Sequence, residues 1–267
     1  MNRRNFLKTA SKTAAGLLLS GNICNAANQE QEIDDLEKYD FIMPRVKFTP
    51  LRVPGRGQAP DKWHVRPGGD RNLLRRLSTV IRCKTKPILY VNENNGFVPS
   101  IGTDNQFNDI VTFDNRDKII KYPFLFMTGE NEFRFTQNQK DNLRDYIKRG
   151  GFLFMEDCVV DHGGDFFFRS AYDILENVFG KSSVKTIPRS HEIFHNVFDL
   201  GDIGLPYMQG QPHGARGIFI NDRLAILLSS HDIHCGWCDN DCTHFGPVKY
   251  EQSIQMGINI IMYSITH

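Results

Sequence analysis

Residues 122–157 read YPFLFMTGENEFRFTQNQKDNLRDYIKRGGFLFMED and decide the fold. The apolar runs from Tyr122 to Met127 and from Phe152 to Met155 have the length and composition of buried parallel strands. The stretch from Gln137 to Arg149 places its apolar residues on one helical face, and Gly150-Gly151 ends the helix. This order predicts two parallel strands joined by a helix.

The alternation of strands and helices continues on both sides of this unit. It predicts, in chain order, an edge strand at residues 45–49, a helix capped by Asp70 and ending near Ile81, a strand at Pro87 to Val91, a helix from about Asp165 to Phe179, a strand at Val184 to Ile187, a hairpin of 217–220 and 223–229 around Asn221-Asp222, and a last helix from about Tyr250 to Ile265. Such alternation implies an α/β fold, a three-layer sandwich around a mainly parallel sheet.

The amino terminus predicts an exported protein. Residues 2–8 read NRRNFLK, a mildly apolar stretch follows at residues 14–20, and small residues stand near Ala26 and Ala27. This order is typical of a twin-arginine signal peptide, residues 1–27, which engages the twin-arginine translocase; the alternative is a plain basic terminus. We expect a periplasmic protein that is soluble, or loosely attached to the membrane if the signal stays uncleaved.

The rest of the chain divides into two parts. Residues 28–40 are polar and acidic, and a flexible spacer is expected over residues 28–44. Residues 45–267 are expected to form a single domain. The protein is 40% hydrophobic and 24% charged, with a net charge of +1. A chain of this length can bury a substantial core, and its near-neutral charge predicts no nucleic-acid partner.

Half of the six cysteines lie in residues 231–244, which read HDIHCGWCDNDCTH. The candidates for metal ligands or disulfide partners in this segment are His231, His234, Cys235, Cys238, Cys242 and His244. The Cys-x-x-Cys spacing suits zinc or another transition metal, held by three thiolates and one imidazole or by two of each. An iron–sulfur cluster would also need Cys158 or Cys83.

Structural disulfides are the alternative interpretation of the same segment, which the flanking residues predict to be a loop. Cys24 would leave with the signal, so five cysteines would remain in an oxidising compartment. An odd number leaves at least one thiol free, bound to metal or paired with another chain.

Polar residues also follow the predicted strands. Because ligands bind at the carboxyl ends of parallel strands, these residues should share one rim of the sheet with the segment after residue 229. The ligand-binding candidates at this rim are Glu130, Glu156, Asp157 and His213, and the candidates for catalysis are Asp157, Cys158 and His162. Glu156 and Asp157 could equally cap the next helix. We expect residues 208–214 to fold over the rim.

Residues 191–195 read HEIFH and match the His-Glu-x-x-His pattern of zinc peptidases. That motif functions on a long helix that places both histidines on one face. Pro188 and Gly201 closely flank the segment, so we interpret it as a short turn with Ile193, Phe194 and Phe198 packed inward.

A resemblance is carried by several motifs in series along the chain. They are Trp63 followed by GGDRNLLRRL, then YPFLFMTGENEF, GGFLFMEDC, HEIFH, HGARG and MGINIIMYSITH. The series, over roughly residues 45 to 267, resembles the bacterial family called domain of unknown function 4159. The resemblance implies a fold similar to class I glutamine amidotransferases, a flavodoxin-like arrangement, and it implies no activity. It makes Cys158 comparable to the amidotransferase nucleophile, although Asp157-Cys158-Val159 lacks the glycines of the Gly-x-Cys-x-Gly elbow.

Three hypotheses of function remain open from the sequence. The first is an exported module that binds a metal or small ligand through residues 231–244. The second is a hydrolase or transferase, metal-assisted or thiol-dependent, that uses Asp157, Cys158 and His162. The third is a disulfide-stabilised interaction protein of the cell envelope, with a protein partner there.

Overall fold

A computed structural model describes residues 35–51, 63–88, 107–158 and 164–267. The predicted signal peptide, residues 28–34 of the predicted spacer, residues 89–91 of a predicted strand and His162 lie outside the described residues.

One sheet contains all the strands named in the described part of the chain. They are β1 (Pro44–Val46), β2 (Asp109–Val111), β3 (Phe124–Gly129), β4 (Phe152–Asp157), β5 (Lys185–Thr186), β6 (Arg216–Ile220) and β7 (Arg223–Ser229). Their order is β2-β1-β3-β4-β7-β6-β5. The first five in this order run parallel to one another, and β6 and β5 add antiparallel pairs at one edge. The mainly parallel α/β sheet is therefore confirmed.

Helices cover both faces of this sheet. Their bounds are α1 (Pro67–Ile81), α2 (Arg116–Ile119), α3 (Gln137–Lys148), α4 (Phe166–Phe179), α5 (Ile233–Cys238) and α6 (Pro247–Thr266). Helices α3 and α4 pack on one face and α1, α5 and α6 on the other. Along β4, Leu153 and Met155 face the first group, whereas Phe152 and Phe154 face the second. This alternation produces the three layers.

Local signals account for the ends of the predicted elements. Helix α3 begins with a capping box, in which Thr136 accepts a hydrogen bond from the backbone of Gln139 and the Gln139 side chain accepts one from Thr136. The β6–β7 hairpin turns at Asn221 and Asp222, whose φ angles of 49° and 64° are left-handed. Asparagine and aspartate tolerate that conformation, so the predicted tight turn is confirmed.

The predicted edge strand at residues 45–49 is wrong in its position. Strand β1 lies inside the sheet, between β2 and β3, and ends at Val46. The polar residue that suggested an exposed edge, Arg45, is fully buried. Its charge is tolerated because the guanidinium is paired with Asp70.

The predicted cap of the helix that ends near Ile81 also needs correction. Helix α1 starts at Pro67, one helical turn before Asp70, and the Asp70 side chain binds Arg45 instead of capping. Proline at the first helical position fixes φ and needs no hydrogen-bond acceptor, which explains the earlier start. Within the predicted spacer, Phe41, Ile42 and Met43 are buried.

Candidate metal centre

The rim at the carboxyl ends of the parallel strands brings together residues distant in sequence. Strand β4 pairs in parallel with β7, with Met155 opposite Leu228 and Glu156 opposite Ser229. The chain that leaves β4 at Cys158 therefore emerges beside the segment that leaves β7. Part of that segment, predicted as a loop, is the short helix α5.

Cys158, Asp232 and Cys235 form the candidate metal centre. Their ligand atoms all lie within 4.8 Å of one another, all three residues are buried, and within the described ranges no other group of three such donors is this close. The sulfur atoms of Cys158 and Cys235 are 3.6 Å apart. Two thiolates at ~2.3 Å from a tetrahedral zinc would be ~3.8 Å apart. The two sulfurs therefore already have nearly the separation that zinc requires.

Glu156 fixes the junction between β7 and α5. Its Oε1 accepts a hydrogen bond from Ser229 Oγ at 2.9 Å and another from Ile233 N at 3.2 Å. Between these two residues, Asp232 adopts left-handed backbone angles of φ 55° and ψ 40°. A non-glycine residue in this conformation is held there by its surroundings at some cost in free energy. The carboxyl of Glu156 thus caps the helix that carries Cys235.

Burial dominates the electrostatics of the rim. Burial, and next the charge of Asp232, raise the pKa of Glu156 well above its ordinary value. Burial likewise raises the pKa of Cys235 well above that of a free thiol. The contact with Cys235 lowers the pKa of Cys158, but burial and Asp232 raise it by more. Without a metal, both thiols are therefore protonated at neutral pH.

Arg66 provides positive charge beside the centre. It precedes α1 and has a left-handed backbone, with φ of 51°. Burial lowers the pKa of its guanidinium, but Cys235, Cys158 and then Cys238 raise it further, to a value above the ordinary one. Thiolates at these positions, formed when a metal displaces their protons, would therefore stabilise the charge of Arg66.

The three candidates for catalysis are not united in the described structure. Cys158 faces α5, whereas the neighbouring Asp157 points to the other face of the sheet and accepts a hydrogen bond from Phe168 N at 2.9 Å. Asp157 therefore caps α4, as the alternative interpretation expected, and burial raises its pKa well above the ordinary value. His162 lies outside the described residues.

The segment of residues 208–214 covers the rim as expected. Gln209 donates a hydrogen bond to Asp232 Oδ2 at 2.6 Å, and Ser230 donates one to the carbonyl of Gln211 at 2.6 Å. His213 lies at its far end, where its Nε2 is 2.9 Å from Asp165 Oδ2. Gln209 is thus the residue of this segment that contacts the centre.

The remaining ligand-binding candidates lie around the centre without joining it. Glu130 is buried just beyond β3, and its charge contributes to the raised pKa of Cys158. The His213 ring stacks on Phe168, with centroids 4.4 Å apart. Both positions place polar groups at the rim, but neither belongs to the close group of three donors.

Both imidazoles at the start of residues 231–244 are engaged in other contacts. His231 Nδ1 lies 3.2 Å from the carbonyl oxygens of Leu205 and Pro206, and its Nε2 accepts a hydrogen bond from Gly214 N. This arrangement fixes a neutral tautomer, and burial lowers the pKa of His231. His231 therefore ties the covering segment to β7.

His234 belongs to a buried ionic network with Arg45 and Asp70. Its Nε2 lies 3.0 Å from Asp70 Oδ1, and Arg45 Nη2 lies 2.6 Å from the same oxygen. Arg45 Nη1 also donates to the carbonyls of Trp63 and Val65. Burial lowers the pKa of His234 to about 4, so the imidazole is neutral. The network joins α5 to α1 and β1.

The other candidates in residues 231–244 do not belong to the close group. Cys238 points toward α1, with its Sγ 3.8 Å from the carbonyl oxygen of Arg66. Cys242 is partly exposed, and the backbone N–H of His244 donates to Asp239. The close group therefore combines two residues of this segment, Asp232 and Cys235, with Cys158 from the end of β4.

The HEIFH segment has no zinc-peptidase geometry. Residues Glu192–Phe194 form a 3-10 helix of three residues, too short to place His191 and His195 on one α-helical face. Ile193 and Phe194 are buried, so the turn interpretation is confirmed.

Sequence reasoning missed Asp232 and Arg66. Asp232 stands inside the quoted segment, but a single aspartate among cysteines and histidines has no distinctive spacing. Arg66 precedes Pro67 in a predicted loop, and only the packing of α1 against α5 places it at the centre. The common rim of Cys158 and the segment that contains Cys235, by contrast, was predicted from parallel strand order.

None of the helices in the described part of the chain is long and apolar enough to cross a membrane.

A search of curated proteins found no match to this chain. A family model described as domain of unknown function, DUF4159, matches residues 56–265. The match covers most of the 267 residues, including the whole candidate centre. The chain therefore belongs to the DUF4159 family.

Proposed function

We propose that the protein is an exported metal-binding module in which Cys158, Asp232 and Cys235 hold a transition metal, with zinc as the best fit. The single observation that carries the proposal is the 3.6 Å separation of two buried sulfurs beside a buried carboxylate. Zinc accepts sulfur and carboxylate oxygen in tetrahedral sites, and soft thiolates disfavour magnesium and calcium.

Charge balance supports a divalent ion at this position. Two thiolates and the carboxylate would carry three negative charges, and burying them without compensation is costly. A divalent metal adds two positive charges, and Arg66 adds the third, since its charge acts on all three residues. The loaded centre with Arg66 is then neutral.

A thiol nucleophile is less well supported than a ligand at Cys158. The net rise in its pKa leaves little thiolate at neutral pH, whereas a reactive cysteine needs a lowered pKa. If the fold is amidotransferase-like, as we also propose from the strand order and from the position of Cys158 after β4, this member uses the nucleophile's position for a metal ligand.

A disulfide between Cys158 and Cys235 is the second candidate. The same short separation favours it, because a movement of under ~2 Å would bring the sulfurs to the bonded distance of ~2.05 Å. It would suit a cell-envelope interaction protein whose rim is cross-linked. The two candidates predict opposite thiol counts and metal contents.

Elemental analysis with thiol counting tests the proposal. Protein purified without chelator from medium containing zinc should hold one equivalent of metal, and Cys158→Ser and Cys235→Ser should each lose it. The matched control is Cys83→Ser, which removes a partly buried thiol outside the centre and should keep the metal. Folded, metal-free protein with all its thiols reactive after unfolding would overturn both candidates, whereas two missing thiols and no metal would establish the disulfide.

Export by the twin-arginine route to the periplasm is part of the proposal. The supporting feature is the sequence of residues 2–8, and this route carries proteins that have folded around a cofactor. Replacing both Arg3 and Arg4 with lysine should retain the protein in the cytoplasm, as measured by fractionation. An unchanged periplasmic yield would contradict the assignment. The mature protein is proposed to be soluble or loosely membrane-associated, with a cell-envelope partner.

A further inference from the structure

We infer that Cys238 is the fourth ligand of the metal centre, which gives a site of three thiolates and one carboxylate. The inference rests on the proposed function and identifies a ligand that is outside the close group of three. A closed tetrahedral site needs four protein ligands, and the group supplies three.

The position of Cys238 on α5 suits this role. It follows Cys235 by three residues on the same helix, and such neighbours have Cβ atoms roughly 5–6 Å apart on one helical face. Two sulfurs carried at that spacing can both reach one ion. A change of one χ1 rotamer moves a cysteine sulfur by about 3 Å without moving the backbone.

The present contacts of the Cys238 thiol are weak. Its Sγ lies 3.8 Å from the Arg66 carbonyl oxygen and 3.5 Å from the His234 carbonyl oxygen, and a thiol is only a weak hydrogen-bond donor. The absence of a side chain at Gly69 makes room for it, since a Cβ there would approach the sulfur to 2.9 Å. Little interaction energy is therefore lost when the thiol turns toward the centre.

Charge interactions connect Cys238 with members of the centre. Burial raises the pKa of Cys238 to about 12; Arg66 lowers it, and Cys158, Asp70 and Asp232 raise it. The charges of Cys158, Asp232 and Arg66 thus all act on Cys238, and the centre with Arg66 would carry one net negative charge if Cys238 were added as a thiolate. Metal binding would displace its proton, as it does for any thiol ligand.

The other nearby donors are poorer choices. His231 uses both ring nitrogens in contacts with backbone groups. His234 Nε2 is bound in the network of Arg45 and Asp70, and its buried Nδ1, which has no hydrogen-bond partner among the described residues, does not belong to the close group of three donors. Glu130 is the competing donor, because its charge acts on Cys158. It would give two sulfurs and two oxygens instead of three sulfurs and one oxygen.

X-ray absorption at the zinc edge separates these possibilities in the wild-type protein, without any substitution. We expect three sulfur neighbours and one oxygen neighbour in the full chain loaded with zinc alone. Two sulfurs with two light ligands would overturn the assignment of Cys238 while leaving the proposed metal module in place. Failure of the chain to bind zinc would instead overturn the module itself.

Cobalt titration of variants locates the third sulfur. In Cys238→Ser the intensity of the sulfur-to-cobalt charge-transfer absorption should fall from the value for three thiolate ligands to the value for two. The affinity for zinc should fall on the order of 100-fold. Cys242→Ser is the matched control in the same segment, and its spectrum should equal that of the wild type. An unchanged spectrum and affinity in Cys238→Ser would refute the inference.

Discussion

Replacing Asp70 with asparagine tests whether the buried ionic network holds α5 against the rest of the domain. The Asp70 and Arg45 side chains are 2% and 0% exposed, and their charged atoms are 2.6 Å apart. The amide keeps an oxygen that can accept hydrogen bonds from Arg45 and His234. The substitution therefore removes the charge while preserving the shape of the side chain.

The expected loss of stability follows from the buried guanidinium. Removing one partner of a buried ion pair leaves the other charge uncompensated, which costs about 3–5 kcal/mol. We expect the lower part of this range, because the hydrogen bonds from Arg45 to the Trp63 and Val65 carbonyls remain. With a urea dependence of about 3 kcal/mol per molar, the unfolding midpoint should fall by about 1 M.

Intrinsic fluorescence is a direct assay of this unfolding. The two tryptophans of the chain, Trp63 and Trp237, are both buried and both adjoin the network, through the Trp63 carbonyl and through the Trp237 contact with the His234 ring. Urea titrations at pH 7 with chelator present would separate folding from metal binding.

The control is Glu251→Gln, which neutralises a surface ion pair with Arg76 of the same 2.6 Å length. Those side chains are 38% and 42% exposed, and a solvent-screened pair contributes only about 0–1 kcal/mol. If Asp70→Asn shifts the midpoint no more than this control, the network does not stabilise the fold by charge compensation and our reasoning is refuted.

Acid, packing and hydrogen bonding provide three more tests. Burial raises the pKa of the Asp70 carboxyl, but its contacts with Arg45 and His234 lower that pKa by more, so it is below the ordinary value in the folded protein. The stabilisation from this carboxylate is therefore complete above the pKa of the unfolded chain and is lost as the pH falls through the pKa of the folded protein. The urea midpoints of the wild type and of Asp70→Asn should therefore converge below about pH 4. Gly236→Ala places a Cβ 2.6 Å from the Ser253 side chain, so α5 must shift. The free energy of unfolding, measured in urea, should fall by about 1–3 kcal/mol. Zinc binding, measured by calorimetry, should become weaker, and unchanged values of both quantities would contradict this packing. Tyr263→Phe removes the hydroxyl oxygen that accepts a hydrogen bond from the buried Leu224 N–H at 3.1 Å. The free energy of unfolding should fall by about 1–3 kcal/mol, while the zinc stoichiometry stays at its wild-type value. A change in stoichiometry would refute a purely structural role for Tyr263.

The fold was predictable where apolar periodicity and turn residues agree. The strands around Phe126 and Phe154, helix α3 and the hairpin at Asn221 were all derived from the sequence, because local signals there match the tertiary structure. Strand β1 was misplaced because Arg45 looks like a surface residue. Its burial depends on Asp70, a partner 25 positions away that no periodicity identifies.

The candidate site was only partly predictable for a similar reason. The density of cysteines pointed to residues 231–244, and parallel strand order placed Cys158 at the same rim. Which donors converge depends on the direction of individual side chains at the β7–α5 junction, and there the left-handed backbone of Asp232 decides. Aspartate tolerates this conformation, but no local signal in the sequence requires it at position 232.

The separation of Cys158 and Cys235 by 77 positions also concerns how the protein comes to be complete. A chain that has been synthesised only as far as β7 holds the first sulfur without the second, so the centre cannot exist in a nascent fragment. An ion that joins these residues would bind the folded chain and not the unfolded one, so its binding free energy would add to the free energy of folding. Metal uptake would therefore mark the end of folding, and a truncated or misfolded copy would be recognisable by its empty centre.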